Sequence, residues 1–236
     1  MILKKLIKFL LLFQICLLVS CSTIPAIKPL DVKQSTDIKH KCSLFFPKHP
    51  QQFVHSIEAS MPGGKKGFMI GITQIFPAKK KIHCIMMTIE GLILFEAVYD
   101  KDLEIRRGIS PFDSVDFAKG LINDIGFIFF KPNLFLKAGV MENSDRVCRY
   151  KNDVHTIIDI IINSRQDINP LLYLTMHQYQ NQKLTRTVNA YYNKNSDLSI
   201  TMEFPSEIKL ISHTFPEYSL KLKLVETERI NSNNKD

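Results

Sequence analysis

Residues 53–89 read FVHSIEASMPGGKKGFMIGITQIFPAKKKIHCIMMTI. Phe53–Ser60 is a strand-like run that stops at Pro62-Gly63-Gly64-Lys65-Lys66, a strong turn signal. Gly67–Phe76 follows, with Phe68, Ile70 and Ile72 on one face of an extended chain. Pro77-Ala78-Lys79-Lys80-Lys81 turns again, and Ile82–Ile89 is apolar on both faces. Working outward, Glu90-Gly91 leads to Leu92–Tyr99, and Asp100-Lys101-Asp102 to Leu103–Arg107. Successive strands joined by short turns make an antiparallel meander.

The meander gives way to one convincing helix. Ser110 suits an N-cap, Pro111 the first helical position, and Asp113 a capping-box partner. Val115, Ala118, Leu121, Ile122, Ile125 and Ile128 then recur at helical spacing. Asp113, Asp116, Lys119 and Asn123 mark the polar side, and Pro132 ends the helix. Beyond it the chain returns to strands at Arg146–Tyr150, Val154–Ile162, Lys183–Tyr192 and Leu198–Phe204. Leu220, Leu222 and Leu224 alternate with Lys221 and Lys223, the clearest strand with one buried face. Residues 163–180 are ambiguous. About eleven strands and one helix predict a mainly β (α+β) fold. Its expected form is a curved antiparallel half-barrel with the amphipathic helix covering its concave face. Phe68, Ile70, Ile72, Leu121, Ile125 and Ile128 are the candidate lining of an apolar cavity there.

The N-terminus carries Lys4, Lys5 and Lys8, an apolar run from Phe9 to Val19 broken by Gln14, then Ser20 and Cys21. This is the layout of a secretory signal. A cysteine directly after Leu18-Val19-Ser20 makes it resemble a bacterial lipoprotein signal, with those three residues as the lipobox. The resemblance implies cleavage before Cys21, diacylglycerol on its thiol, acylation of the new amino end, and a protein facing the periplasm. Ser22 resembles the outer-membrane sorting signal of enteric-type bacteria. An uncleaved membrane-spanning anchor is the alternative, but the run falls short of the roughly 20 residues a span needs. The expected division is signal 1–20, lipidated N-terminus and flexible tether 21–41, one β-rich domain 42–230, and a polar tail 231–236.

The formal charge is +8, and the signal holds three lysines and no acids, leaving +5 (8 − 3) on the mature chain. That mild excess suits an anionic membrane surface. No basic run with interleaved aromatics points to nucleic acid. Of five cysteines, Cys16 leaves with the signal and Cys21 carries lipid. Cys42, Cys84 and Cys148 remain, and their three possible pairings are open. Cys84 and Cys148 sit in apolar, strand-like surroundings, so buried free thiols are expected. Cys42, in a more polar stretch, is read as exposed.

No Gly-x-Ser-x-Gly, His-Glu-x-x-His, phosphate loop, dinucleotide fingerprint or Cys-x-x-Cys pair occurs. His40, Cys42 and His49 fit no standard zinc spacing. Asp153, His155 and Asp159 alternate along a strand, as a solvated face would. No catalytic residue, metal or cofactor is therefore assigned. Two features suit lipid contact. Phe76 beside Lys79, Lys80 and Lys81 makes an apolar tip with three cations, a candidate membrane-contact loop. Phe127-Ile128-Phe129-Phe130, with Leu134, Phe135 and Leu136, reads as core or as the gate of a lipid cavity.

The lipidated cysteine, tether, meander, helix, later strands and Pro205-Ser206-Glu207-Ile208-Lys209-Leu210 before Tyr218–Leu224 resemble the Lol-type lipoprotein carrier and receptor superfamily. The resemblance spans roughly residues 50–228 in layout. It implies a half-open barrel lidded by helices that holds acyl chains and passes lipoproteins to the outer membrane. The family usually has several lid helices and an exposed leucine on a receptor hairpin. Here one helix is clear, and the candidate tip carries Phe76. The expected function is non-enzymatic: a lipid-anchored protein of the outer membrane that binds or transfers lipid or lipoprotein acyl chains. An accessory lipoprotein binding an envelope protein through an open sheet edge is the second reading, and a periplasmic enzyme with a dispersed site the third. Cys21→Ala is expected to release the protein from the membrane fraction into the periplasm. Full retention in the membrane would contradict the anchor.

Overall fold

The run from residue 51 to 108 folds as the meander its turns dictate. The computed structural model describes residues 24–152, 155–163, 171–192 and 204–231, and only the backbone of 171–173. The first meander comprises β2 (Gln51–Ser60), β3 (Lys66–Phe76), β4 (Lys81–Met87), β5 (Ile93–Asp100) and β6 (Asp102–Gly108), preceded by β1 (Lys28–Pro29) and α1 (Val32–Leu44). After α2 (Val115–Phe129) a second meander runs through β7 (Phe135–Val140), β8 (Arg146–Lys151), β9 (Thr156–Ile162), β10 (Leu171–Gln180), β11 (Lys183–Tyr192), β12 (Glu207–Ser212) and β13 (Tyr218–Arg229).

All thirteen strands form one antiparallel sheet in the order β1-β7-β8-β9-β10-β11-β12-β13-β2-β3-β4-β5-β6. The last strand pairs with the first long one, from Ser219 opposite Ser60 to Arg229 opposite Gln51. That long-range pairing joins the two meanders. A register shift between Leu224 and Glu226 interrupts it, and such bulges bend a strand and increase its twist. The sheet curves but stays open, a half-barrel whose edges are β1 and β6.

The register fixes which side chains point inward. Phe53, His55, Ile57 and Ala59 on β2 lie opposite Thr73, Gly71, Met69 and Gly67 on β3. Ile82, Cys84 and Met86 on β4 continue this face, and so do Ile160, Met176, Val188, Leu210 and Leu222 in the second meander. Phe53, Ile82, Cys84, Met86, Ile160, Met176, Val188, Leu210 and Leu222 are buried in one core with side chains from both helices, and Ile57 and Met69 pack against it.

Helix α2 begins one turn later than its sequence suggests. Ser114, rather than Ser110, is its N-cap, and its hydroxyl oxygen accepts from the Phe117 amide at 3.1 Å. Residues 110–113 instead turn, with the Phe112 amide donating to the Ile109 carbonyl at 2.8 Å. That turn brings Phe112 against Phe117, ring centroids 5.3 Å apart. Aromatic burial outweighs another helical turn with Pro111 at its start.

Residues 24–41 do not form the expected tether, because the folded unit begins well before residue 42. β1 pairs with β7, and α1 is capped by Asp31, which accepts from the Gln34 amide at 2.8 Å. Only Ile38 and Cys42 of this helix are buried, so its sequence carries little periodic signal. Residues 24–27 lie against the outer face of β8 and β9. The Pro25 carbonyl accepts from Arg149, which also holds the fully buried Asp159 at 2.6 Å. Gly139 is required here, because a β-carbon would overlap Ile27.

Cys42 and Cys148 differ from the expectation, whereas Cys84 is a buried free thiol as expected. Cys42 and Cys148 form a disulfide between α1 and β8, and both are fully buried. Among the described residues Cys84 is the free thiol, and burial pushes it up to about 12. The bridge closes a loop with a sequence separation of 106. Replacing both bridged cysteines by serine is expected to cost about 2–5 kcal/mol in urea unfolding. An unchanged midpoint would contradict the crosslink.

Candidate functional site

The concave face is where the chain concentrates its apolar surface, and two helices fill it differently. Helix α1 packs on β7, β8 and β9 and is stapled there by the disulfide. Helix α2 packs on β4 and β6 with no covalent tie. Fifteen residues make it about 22 Å long. Near its start Phe117 meets Phe95 of β5 edge to face, centroids 5.3 Å apart. At its end Phe129 stacks on Phe53 of β2 at 4.7 Å, and Phe53 meets Phe204 edge-on at 4.7 Å. Ala118, Ile122, Ile125 and Ile128 are buried between these ends.

One carboxylate interrupts that apolar face. Asp124 is 3% exposed. Its Oδ1 accepts from the Arg186 Nε at 2.6 Å, and its Oδ2 accepts from the Tyr218 hydroxyl in a short hydrogen bond. Arg186 sits on the inner face of β11, in line with Val188 and Ala190, and Tyr218 begins β13. Arg186 also donates to Gln178 on β10 at 3.4 Å. Thus α2, seated on β4–β6, is latched to strands of the other meander. Burial pushes the Asp124 carboxyl up, while the Tyr218 hydroxyl and the Arg186 guanidinium hold it down. Desolvation, together with the buried carboxylate, pushes the Tyr218 phenol well above its usual value. Sequence reading missed this trio. The available signal was an aspartate three residues after Leu121 and four before Ile128, on the apolar stripe.

Of the named lining residues, Leu121, Ile125 and Ile128 do face the core. Phe68, Ile70 and Ile72 do not join them. They project from the outer face, in register with Glu58, Ser56 and Val54, and Phe68 is 62% exposed. The inner set on β3 is Met69, Gly71, Thr73 and Ile75. Phe68 and Ile70 instead border a shallow outer groove with Ile89, Lys221 and Lys223.

The candidate contact loop also looks different in space. Phe76 is half-buried, and the Lys81 ammonium lies 5.8 Å from its ring centroid. Lys81 pairs with Asp100 at 3.5 Å. Lys79 and Lys80 form the exposed apex. Of the gate segment, Ile128 and Phe129 are buried, Phe127, Phe130, Leu134 and Leu136 pack half-buried, and Phe135 is exposed. Asp153 lies outside the described residues, as do Leu198–Glu203 of one expected strand. His155 is exposed, whereas Asp159 pairs with Arg149. Cys42 is committed to its disulfide, away from any role with His40 and His49. Among the described residues no helix is long and apolar enough to cross a membrane.

No protein-family model and no curated protein matches the sequence. Solved structures do resemble it. A LolA superfamily protein from Nitrosomonas europaea superposes with a TM-score of 0.55 at 10% identity, covering 84% of this chain and 94% of its own. This chain has a Lol-type fold. A domain assigned to an outer membrane lipoprotein-sorting protein from Vibrio parahaemolyticus gives a TM-score of 0.45 at 8% identity, over 87% of this chain and 96% of its own.

The latch predicts an asymmetric mutational response. Asp124→Ala strands the Arg186 guanidinium in the core and is expected to cost about 3–5 kcal/mol. Replacing both partners, Asp124→Leu with Arg186→Met, should recover most of that loss in urea unfolding. A single variant as stable as the parent would contradict the latch. His55, beneath Phe129, gives a pH test. Burial lowers its pKa from 6.5 to about 4, so the folded state resists protonation there. The unfolded chain takes the proton first, and stability falls as pH drops through that window, by about 3 kcal/mol in full. His55→Phe should flatten this part of the pH–stability curve, and an unaltered slope would contradict the assignment.

Proposed function

We propose that this chain is a non-enzymatic, membrane-anchored lipoprotein of the outer membrane, facing the periplasm, that binds or transfers acyl chains of lipids or lipoproteins on its concave face. Helix α2 is the displaceable cover. The observation that carries this reading is the unequal fastening of the two helices: α1 is stapled by Cys42–Cys148, and α2 is held by contacts alone. The fold likeness to a LolA superfamily protein supports it.

The energies suit an exchange. Burying Ile122, Ile125, Ile128 and Phe129 stabilises the covered state by roughly 6–12 kcal/mol, at about 1.5–3 kcal/mol per side chain. A sixteen-carbon acyl chain gains about 12 kcal/mol at ~0.8 kcal/mol per buried methylene. An incoming chain therefore offsets what α2 gives up, and neither state is locked. The Asp124 latch adds a polar cost to leaving, because opening strips the carboxylate of Arg186 and Tyr218.

Pairing with an envelope protein through the open edge has less support. β6 carries Asp102, Glu104, Arg106 and Arg107 and is largely exposed. Charged edges of this kind discourage strand addition.

Native mass spectrometry of residues 22–236, secreted without the anchor and purified without detergent, tests the reading. Added mass matching phospholipid or fatty acid is expected. A clean protein mass, unchanged after incubation with fatty acid, would count against an acyl-binding role.

A further inference from the structure

We infer that one end of the half-barrel, the rim that carries the β2–β3, β4–β5 and β12–β13 turns, rests in the lipid bilayer to which Cys21 anchors the chain. The inference rests on the lipoprotein reading for its anchor and goes beyond it in orienting the folded domain.

Antiparallel pairing sends alternate turns to opposite ends of a sheet. One rim here gathers residues 61–65, 88–92 and 213–217, the exit of β6 at Ile109, and the entry of β7 at Phe135. The opposite rim holds the 77–80 turn and Lys101. β3 alone, eleven residues at about 3.3 Å each, separates the two rims by roughly 36 Å.

Exposed apolar side chains are not shared evenly between them. Ten large apolar residues stand exposed among the described residues, and eight lie at or beside the first rim. Phe215 is 96% exposed, Ile89 74%, Phe135 69% and Leu92 53%. They come from three separate connections, β4–β5, α2–β7 and β12–β13, so no single loop accident explains them. Dispersed apolar surface is ordinary, whereas one ring of it marks an interaction site.

The position of the chain's start says what covers that ring. Ile24 lines one open cleft together with Lys151, Asn152, His155, Asn181 and Gln182. Those are turn residues of the same rim, by the pairing of β8, β9, β10 and β11. Cys21 is three residues upstream, and three peptide steps reach about 11 Å at most. Acyl chains on Cys21 therefore enter a bilayer next to this rim, not the far one. Exposed Lys65, Lys66, Lys151 and Lys183 share the rim with Glu90 and Glu217, a small cationic excess, so apolar insertion carries the contact more than charge does. The Phe76 turn then points away from the anchoring membrane.

The chain contains no tryptophan, which makes single-tryptophan variants of the full protein a direct test. Ile89→Trp, Phe215→Trp and Phe76→Trp would be reconstituted in phosphatidylethanolamine–phosphatidylglycerol vesicles, with and without brominated acyl chains. Severalfold stronger bromolipid quenching in Ile89→Trp and Phe215→Trp than in Phe76→Trp is expected, at either proportion of phosphatidylglycerol. Equal quenching at both ends, stronger quenching in Phe76→Trp, or none at all would overturn the orientation. So would blue-shifted emission from the rim variants before vesicles are added, since a second protein copy would then cover the rim. Intact mass of the same samples reads the anchor separately. Acylated protein without rim quenching keeps the anchor and loses the orientation. Rim quenching without acyl mass supports the rim contact and sinks the anchor.

Discussion

A curved sheet with an apolar inner face cannot stand uncovered in water, and this constraint organises the molecule. Pairing β13 with β2 merges two meanders into one sheet. The merger lines up Phe53, Ile75, Ile82, Met176, Val188 and Leu210 on one concave side. Each such side chain is worth about 1.5–3 kcal/mol when buried, so the face demands a cover. Because β1 and β6 do not pair, closure into a barrel does not supply one. The helices do.

The two covers differ in kind. Helix α1 offers few apolar side chains, and its place on β8 is fixed by a disulfide. Helix α2 is richly apolar yet carries Asp124 into the core, where Arg186 and Tyr218 satisfy it. A buried ion pair of this sort is weak evidence for stability and better understood as fixing one arrangement. Here the arrangement fixed is α2 across the mouth of the half-barrel. One helix is thus stapled to the scaffold, and the other is held there by noncovalent contacts alone.

The sequence made the meanders and the central helix readable wherever period and turn chemistry agreed. Pro62-Gly63-Gly64 and Asp100-Lys101-Asp102 punctuate strands that formed close to their expected bounds. Helix α1 was hidden, because Ile38 and Cys42 are its only buried residues in a polar run. The face of β3 was misjudged for a different reason. Phe68, Ile70 and Ile72 are more apolar than Met69, Gly71 and Thr73, and a pleat allows either set inside. Register with Phe53 on β2 and Ile82 on β4 decided it, and no single strand contains that information. Asp124 was visible as a charge on an apolar stripe, but its partners lie 62 and 94 residues away. The disulfide, too, depended on a helix that the sequence did not announce.

The separation between α2 and the sheet is the quantity to measure. Spin labels on Asn123→Cys, exposed on α2, and Lys223→Cys, exposed on the outer side of β13, would report it in a Cys84→Ala background with the native disulfide kept. Pulsed dipolar spectroscopy with and without a sixteen-carbon fatty acid then follows the cover. Binding should add a population several ångströms from the first, as α2 leaves the concave face. A single unchanged distance with fatty acid demonstrably bound would contradict a displaceable cover.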